Sequence, residues 1–394
     1  ESDQIYDQTA WSQSLLWDVE VLESQRASGA AGAQVVPDAA PPRVTLPPAQ
    51  VGYLIPWGTN AASTVVEALR EGIRVRSGGA KFTLGGREYG VGTAIVRTSE
   101  NGPDLAARLG RIATMHGAEV VPIDDSYVRE GMSLGSERVS ALREPRVLLA
   151  YDAPGSSLSV GAARYVLERR YGQRTTVVRA SSLGRAKLAD YDVIVLPSGN
   201  YSSAIGSGLV GELRAWMQDG GTLVTMAEST GWATRAELLE TTAERRGGRA
   251  EGEDAPSGDT PYQPIEYLDE IVPDDESPES VPGSILRVLL DPMHWMSSGT
   301  DGEIGALVVG SRVFSPMTLD NGTNVGRYGP PEDLVLSGVV WEESKPQLAN
   351  KAFLMVQSIG SGQIIAFAEE PNFRAYTEAT QLLFMNAVLL GPGR

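Results

Sequence analysis

The chain has only two histidines and no cysteine with which to build a metal or nucleophile site. His116 and Glu119 have the H-x-x-E spacing of a zinc-binding pair, but His116 closes an amphipathic segment that Gly117 is expected to cap. A histidine is favoured there by the negative end of the helix dipole. His294 has no carboxylate partner placed by any recognisable zinc motif. We therefore expect structural roles for both histidines, and no bound metal or cofactor.

Polar side chains follow three strands of a predicted parallel sheet. Strands at residues 146–150, 175–178, 190–196 and 220–226 alternate with helices at 159–171 and 206–219. This alternation is typical of a parallel sheet with helices on both faces, and ligands of such sheets bind beyond the carboxyl ends of the strands. The candidate ligand crevice is therefore lined by Asp152, Ser198, Asn200, Tyr201, Glu228 and Ser229. The competing explanation is turn chemistry, because these residue types favour turns at strand ends whatever the function.

The end of the chain carries its most distinctive motif. Two β-rich runs, residues 351–357 and 363–368, are joined by a Gly-Ser-Gly turn, and residues 377–390 have helical periodicity. Between them lie Asn372, Phe373 and Arg374 of the tetrad PNFR. Arg374 could clamp a carboxylate or a phosphate, but we favour a structural pairing with Glu369, with Glu370 or with a helix C-terminus. In a purely structural motif, Phe373 packs into the core.

This order of motifs resembles the C-terminal, class I glutamine amidotransferase-like region of large bacterial zinc carboxypeptidases, in the carboxypeptidase A/T-like metallopeptidase family. The likeness rests on Ser337-Gly338, on the pattern GxGxxIxF at residues 360–367, on PNFR and on Asn386-Ala387. Residues 6–12, YDQTAWS, resemble the segment that follows the peptidase domain in that family. The resemblance implies that the whole chain lies downstream of the catalytic domain, and that the protein is secreted or periplasmic.

The resemblance also locates the turn at which an active amidotransferase would carry its nucleophile. A class I enzyme needs a Cys on a strand-to-helix elbow, with a His and an acid behind it. Residues 227–232, AESTGW, follow the strand at 220–226 and contain Glu228 and Ser229 instead of Cys. Ser229 is a conceivable nucleophile, but no His lies in a context that indicates a triad. We therefore expect a retained fold without catalytic residues.

Charge and apolar run length exclude further classes of function. The net charge of −17 argues against nucleic-acid binding, because phosphate neutralisation needs clustered Lys and Arg. Residues 251–279 contain eleven Asp or Glu and no Lys or Arg, which predicts a disordered acidic insertion at about 247–282. Calcium binding is an alternative, but the carboxylate spacing fits no EF-hand. No apolar run reaches the length of a membrane span.

Changes of pattern divide the chain into three parts. Residues 1–42 contain a predicted helix at 10–23 and a flexible linker. Residues 43–140 are predicted to form a small α/β domain with a hairpin at Gly85-Gly86. Residues 146–394 are predicted to form the larger α/β domain, a flavodoxin-like or amidotransferase-like parallel sheet with helices on both faces. The predicted fold class is α/β.

Two functions of different classes remain. The preferred one is a non-catalytic accessory module of a secreted zinc carboxypeptidase-like protein, which helps to fold, position or oligomerise the peptidase or presents its substrate. Its partners would be its own peptidase domain or a second copy. The alternative is a degenerate hydrolase or small-ligand-binding domain that uses the crevice at the strand ends. The lack of Cys favours the first function, whereas the polar residues at three strand ends keep the second open.

Overall fold

The computed structural model describes residues 12–22, 24–25, 43–241, 243–244 and 280–393. The predicted linker, most of the predicted acidic insertion and residues 6–11 of the YDQTAWS segment lie outside these ranges. The helices within them are α1 (Gln13–Trp17), α2 (Thr59–Arg70), α3 (Leu105–His116), α4 (Ser157–Tyr165), α5 (Ser207–Gln218), α6 (Glu228–Arg235), α7 (Lys345–Leu348) and α8 (Glu378–Leu389). None of these helices is long and apolar enough to cross a membrane.

The first unit is built on two small antiparallel sheets. Its strands are β1 (Gly52–Ile55), β2 (Arg76–Gly78), β3 (Phe82–Leu84), β4 (Arg87–Tyr89), β5 (Ala94–Arg97), β6 (Val121–Ile123), β7 (Glu130–Gly131) and β8 (Val139–Ala141). One sheet has the order β6-β1-β5-β2-β8 and the other the order β4-β3-β7. The predicted hairpin is confirmed, because Gly85 and Gly86 join β3 to β4 with φ of 60° and 80°. Positive φ at both positions is the conformation that favours glycine in a two-residue hairpin turn.

The second unit is built on one large sheet. Its strands are β9 (Val147–Tyr151), β10 (Thr175–Arg179), β11 (Val193–Leu196), β12 (Thr222–Met226), β14 (Val281–Leu290), β15 (Glu303–Gly310), β17 (Thr323–Tyr328), β18 (Val335–Ser337), β19 (Ala352–Ile359) and β20 (Gly362–Phe367). Two short strands, β13 (Ala243–Glu244) and β16 (Val313–Phe314), lie outside this sheet. Among the described residues, β13 and β16 form a separate two-stranded sheet.

The large sheet is parallel in one half and antiparallel in the other. Its order is β10-β9-β11-β12-β20-β19-β17-β14-β15, with β18 beside β14. The neighbours from β10 to β20 are parallel, as predicted. The strands from β19 onward extend the sheet in antiparallel fashion, which the prediction of a parallel sheet did not include. Because β10 and β11 flank β9 on opposite sides, the carboxyl ends of β9 and β11 form the topological switch point.

Helices cover both faces of the large sheet. On one face, Leu167 beyond α4 and Leu383 of α8 join an apolar cluster that includes Leu149 of β9. On the other face, Met217 of α5 and Trp232 of α6 pack in a second cluster. Successive residues of β9 alternate between the two clusters, as the period of a strand requires. The predicted α/β fold class is confirmed.

A buried asparagine connects the first unit to the second. Asn386 of α8 is fully buried, and its side-chain oxygen accepts a hydrogen bond of 2.8 Å from the indole nitrogen of Trp57. Its amide nitrogen donates to the carbonyl oxygens of Met296 and Ser298, at 2.8 and 2.9 Å. The amide of Asn386 therefore holds three segments together through both its oxygen and its nitrogen.

Candidate functional site

The loops that follow β9 and β11 are joined at the switch point. Gly155 and Gly199 form an isolated antiparallel bridge, and the amide of Ser156 donates to the carbonyl oxygen of Ser198 at 2.7 Å. A side chain cannot replace the hydrogen at Gly199, because a Cβ atom there would lie 2.5 Å from the carbonyl oxygen of Pro154. These contacts between the two loops close part of the carboxyl edge of the sheet, where the sequence predicts a crevice.

Asp152 and Asn200 have the turn roles that compete with a binding role. Asp152 has a φ of 69°, is exposed, and accepts a hydrogen bond from the amide of Ala153 at 3.0 Å. Asn200 caps a short 3-10 helix by accepting from the amide and the hydroxyl of Ser202, at 3.2 and 2.8 Å. Both side chains therefore accept hydrogen bonds from residues one or two positions further along the chain, as turn residues do.

Ala227 has the backbone conformation of a nucleophile elbow. It lies between the end of β12 and the start of α6, with φ of 52° and ψ of −115°. Non-glycine residues rarely adopt positive φ, and a strained strand-to-helix turn is the device that exposes a nucleophile at the edge of an α/β sheet. The side chain at this position is a methyl group, which has no nucleophilic atom.

Ser229, the serine that the sequence offered as a nucleophile, is a structural residue. Its hydroxyl is fully buried and lies 2.7 Å from the carbonyl oxygen of Leu196 and 2.9 Å from the amide of Met226. The interpretation of Ser229 as a conceivable nucleophile is therefore corrected, because the hydroxyl is bound to backbone groups inside the fold. Glu228 is exposed, and its amide contacts the hydroxyl of Ser198 at 3.4 Å.

A polar group that the sequence analysis missed lies beside these loops. The hydroxyl of Ser159 in α4 donates to the carboxylate of Glu370 and accepts a hydrogen bond from the amide of Ser198 at 2.9 Å. The same carboxylate accepts from the amide of Asn372 at 3.4 Å. Burial raises the pKa of the Glu370 carboxyl above its ordinary value. The hydrogen bonds from Ser159 and Asn372 and the charge of Arg312 lower this pKa, but burial has the larger effect. Glu370 thus links α4 and the PNFR turn, and Ser159 carries the link to the loop after β11.

Two buried side chains at this edge have unused hydrogen-bonding groups. Within the described residues, neither the hydroxyl of Tyr201 nor either amide atom of Asn372 has a hydrogen-bond partner, although both residues are fully buried. Desolvation and the nearby charge of Glu370 raise the pKa of Tyr201. The hydroxyl of Tyr201 lies 3.0 Å from the position of a Cβ on Gly155. A buried polar group without a partner is costly, so these three atoms are the unused hydrogen-bonding groups that a water molecule or a polar ligand at this edge would contact.

The PNFR motif differs from its predicted structure. Arg374 has a φ of 47°, is exposed, and lies with its guanidinium 5.2 Å from the centre of the Phe373 ring. The predicted ion pair is wrong, because Glu369 lies 3.8 Å from Arg312 and Glu370 bonds to Ser159. Phe373 is half-buried and packs beside a small cluster of Leu16, Ile285 and Leu307, not in the main core.

The possible zinc pair has other partners. α3 ends at His116, and Gly117 caps it with a φ of 71°, as predicted. Glu119 forms a two-point ion pair with Arg87, at 2.5 and 2.8 Å. Burial lowers the pKa of His116. His294 accepts a hydrogen bond at Nδ1 from the amide of Met296 at 3.2 Å. The described residues contain no group of three or more His, Asp or Glu that could hold a metal ion.

Comparison with known proteins gives a likeness of fold only. No family model matches the chain, and no curated protein matches it. Among solved structures, a GMP synthase-type protein from Thermoplasma acidophilum is 11% identical over 62% of this chain and 92% of its own, with a TM-score of 0.38. A ThuA-like protein from Bacteroides uniformis is 13% identical over 62% of this chain and 89% of its own, with a TM-score of 0.39. The match to a β-galactosidase from Bacillus circulans sp. alkalophilus, 14% identical with a TM-score of 0.37, includes 62% of this chain and 31% of that enzyme. At these scores, none of the three supports a statement about activity.

Proposed function

We propose that this chain is a non-catalytic, amidotransferase-like accessory module of a secreted or periplasmic zinc carboxypeptidase-like protein. It helps to fold, position or oligomerise the peptidase domain, or it presents the substrate of that domain. The peptidase part of this proposal rests on the resemblance of the motifs PNFR, GxGxxIxF and YDQTAWS to that family.

The observation that carries the non-catalytic role is the geometry at Ala227. The elbow backbone is retained, with φ of 52° and ψ of −115°, while the side chain is a methyl group. Fold and chemistry separate easily, because a scaffold keeps its packing when a reactive side chain is lost. The nearby Ser229 supports the same role, since its hydroxyl is bound to the backbone of Leu196 and Met226.

A hydrolase assay tests the non-catalytic role. The purified chain should show no turnover of L-glutamine or of p-nitrophenyl acetate above the buffer rate. Ser229→Ala tests the buried hydroxyl, and Ser203→Ala is the matched control because Ser203 is exposed. Turnover by the unmodified chain that is lost in Ser229→Ala and kept in Ser203→Ala would refute the proposal.

The proposed parent protein needs a separate test. The intact mass of the natural protein should exceed the 42.0 kDa of this chain by the mass of a peptidase domain. Deleting residues 43–394 from that protein should then lower its carboxypeptidase activity or its thermal stability. A natural protein without a peptidase domain would remove the carboxypeptidase part of the proposal, whatever the hydrolase assay shows.

A second candidate function is the binding of a small polar ligand at the carboxyl edge of the sheet. The observation that favours it is the unused hydrogen-bonding capacity of Tyr201 and Asn372 beside Glu370. A panel of small carboxylates and carboxamides should raise the melting temperature of the unmodified chain but not that of Tyr201→Phe. If no compound raises the melting temperature, or if Tyr201→Phe responds equally, this candidate function is excluded.

A further inference from the structure

Several exposed apolar side chains lie in one short segment that begins at the last residue of α1. Within the described residues, twelve large apolar side chains are exposed, and four of them fall within six residues: Trp17 (44%), Val19 (53%), Val21 (59%) and Leu22 (85%). Isolated apolar residues on a surface need no explanation, but exposed apolar side chains that lie close together are typical of interaction sites. We call these four residues the α1 surface.

The start of the α1 surface is held in place by the rest of the fold. Leu16 is buried with Ile285 and Leu307 of the large sheet, and the indole nitrogen of Trp17 donates to the carbonyl oxygen of Tyr376 at 2.8 Å. The amide of Val19 donates to the carbonyl oxygen of Ser14 at 3.1 Å. The apolar side chains are therefore displayed from a fixed base, which lowers the entropy cost of binding.

The apolar neighbours of this base are also incompletely buried. Leu336, Phe373 and Tyr376 are half-buried and pack against the cluster of Leu16, Ile285 and Leu307. The half-buried ring of Phe373 is thus explained by its place beside the α1 surface. A partner that covers the α1 surface would bury more of these three half-buried side chains, whereas Leu16, Ile285 and Leu307 are already buried by the chain itself.

Three carboxylates, those of Asp18, Asp301 and Glu303, lie near one another beside the end of α1. Partial burial and the nearby carboxylates of Asp301 and Glu303 raise the pKa of Asp18. Glu20, between the exposed valines, is itself exposed. Glu303 is balanced by an ion pair with Arg287, but Asp18 and Asp301 add negative charge to a chain whose net charge is −17. Such a group of carboxylates favours a partner with Lys or Arg beside its apolar side chains.

We propose that the α1 surface docks a basic amphipathic segment of another polypeptide chain. The apolar face of that segment covers Trp17, Val21 and Leu22, and its cations face Asp18 and Asp301. Apolar contact supplies the affinity, while the charges raise the association rate and exclude acidic partners. This inference goes beyond the proposed function, because it names a surface and a partner chemistry and does not require a peptidase.

The experiment measures binding of a fluorescein-labelled amphipathic helix of Leu and Lys, of about 18 residues or five turns, by fluorescence anisotropy. The same helix with Glu in place of Lys is the charge control. The unmodified chain should bind the Lys peptide and not the Glu peptide. Leu22→Ser and Val21→Ser should each weaken binding about tenfold, because each substitution removes one aliphatic side chain that the peptide would bury.

Two matched variants make the result specific. Leu319→Ser removes an equally exposed leucine, 89% against 85%, from the turn before β17, and should leave the affinity unchanged. Asp18→Asn combined with Asp301→Asn should weaken binding and reduce its salt dependence, whereas Asp320→Asn should do neither. Equal binding by Leu22→Ser and Leu319→Ser overturns the proposal, as does failure to bind the Lys peptide. A dimer of the unmodified chain that Leu22→Ser makes monomeric would also overturn it, because the occupant would then be a second copy.

Discussion

Ala227 has a strained backbone conformation, and its side chain is an unreactive methyl group. Its φ of 52° is a conformation that costs of order 1–3 kcal/mol for a non-glycine residue. The turn is held by the hydrogen bond from the Ala227 amide to Phe367 and by the buried hydroxyl of Ser229. These contacts hold the backbone of Ala227 in its strained conformation.

Phe373 and Arg374 should contribute less to stability than core residues do. Because Phe373 is half-buried, Phe373→Ala should lower the free energy of unfolding by about 1–2 kcal/mol. Arg374→Ala should change it by less than about 0.5 kcal/mol, since the guanidinium is exposed. The control is Phe384→Ala, which truncates a fully buried ring of α8 and should cost about 3–5 kcal/mol. Urea denaturation measures all three, and a cost for Arg374→Ala near that of Phe384→Ala would contradict the structure.

Glu370 should make stability fall as the pH rises. Enclosure raises its pKa in the folded chain above the ordinary value of 4.5. Its favourable contribution is therefore fully present below the unfolded pKa and is lost as the pH rises through the folded pKa. Glu370→Gln keeps an acceptor for Ser159 but does not ionise. The variant should match the unmodified chain near pH 4 and become the more stable of the two as the pH approaches 7.

The matched comparison for Glu370 is Asp192, whose pKa shifts in the opposite direction. Desolvation opposes the shift, but hydrogen bonds from Arg146 and the charge of Arg143 lower the pKa of Asp192 in the folded chain. Its contribution is present above the unfolded pKa and is lost as the pH falls through the folded pKa. Asp192→Asn should therefore be less stable than the unmodified chain at pH 7. In melts at a series of pH values, the stability deficit of Asp192→Asn should stay nearly constant from pH 7 to about pH 4 and shrink only as the pH falls below the ordinary value of 3.8, whereas the stability gain of Glu370→Gln should grow as the pH rises above 4.5. A deficit of Asp192→Asn that shrinks as the pH rises, or a gain of Glu370→Gln that grows as the pH falls, would contradict the corresponding assignment.

At the scale of elements, the Asn386 amide joins α8 to the first unit. Asn386→Ala would leave the indole nitrogen of Trp57 and the carbonyl oxygens of Met296 and Ser298 without this partner, which should cost about 2–4 kcal/mol. Trp57→Phe removes one of the three bonds. In a double-mutant cycle measured by urea denaturation, the two costs should fall short of additivity by about 0.5–1.5 kcal/mol. Additive costs would show that the two side chains are not coupled.

Elements with local signals were predictable from the sequence. α3 ends at His116 before Gly117, and the hairpin turns at Gly85-Gly86, because capping and turn chemistry act over a few residues. The helix predicted at residues 10–23 is wrong in extent. α1 ends at Trp17, and Asp18 takes the left-handed conformation. The apolar spacing is compatible with a helix, but β-branched Val19 and Val21 disfavour one, and burial of Leu16 against the sheet fixes only the first turn.

The candidate site was predictable only in part. The ends of the predicted strands located Ser198 and Tyr201 at the carboxyl edge of the sheet, because parallel strands share a direction. The link between Ser159 and Glu370 spans 211 residues, and no local pattern marks it. The strained backbone at Ala227 is set by tertiary contacts, so the sequence located the turn but not the residue that occupies the nucleophile position.

At the scale of the molecule, residues before and after the acidic segment share one sheet. β20 pairs with β12 over five residues, from Thr222 opposite Gln363 to Met226 opposite Phe367. A chain cut at an engineered protease site between residues 251 and 279 should therefore remain a single species on native gel filtration, and its two fragments should separate only in denaturant. Separation under native conditions would contradict the prediction that residues 146–394 form one domain.

The position of β20 also determines when the fold can be completed during synthesis. β20 is the last strand of the described chain, yet it lies in the interior of the sheet between β12 and β19. Until residues 362–367 have left the ribosome, β12 is an open edge and β19 lacks one of its two neighbours. Open edges of this kind favour pairing with other chains. A nascent chain that ends before residue 362 should therefore be more prone to misassembly than one that includes β20.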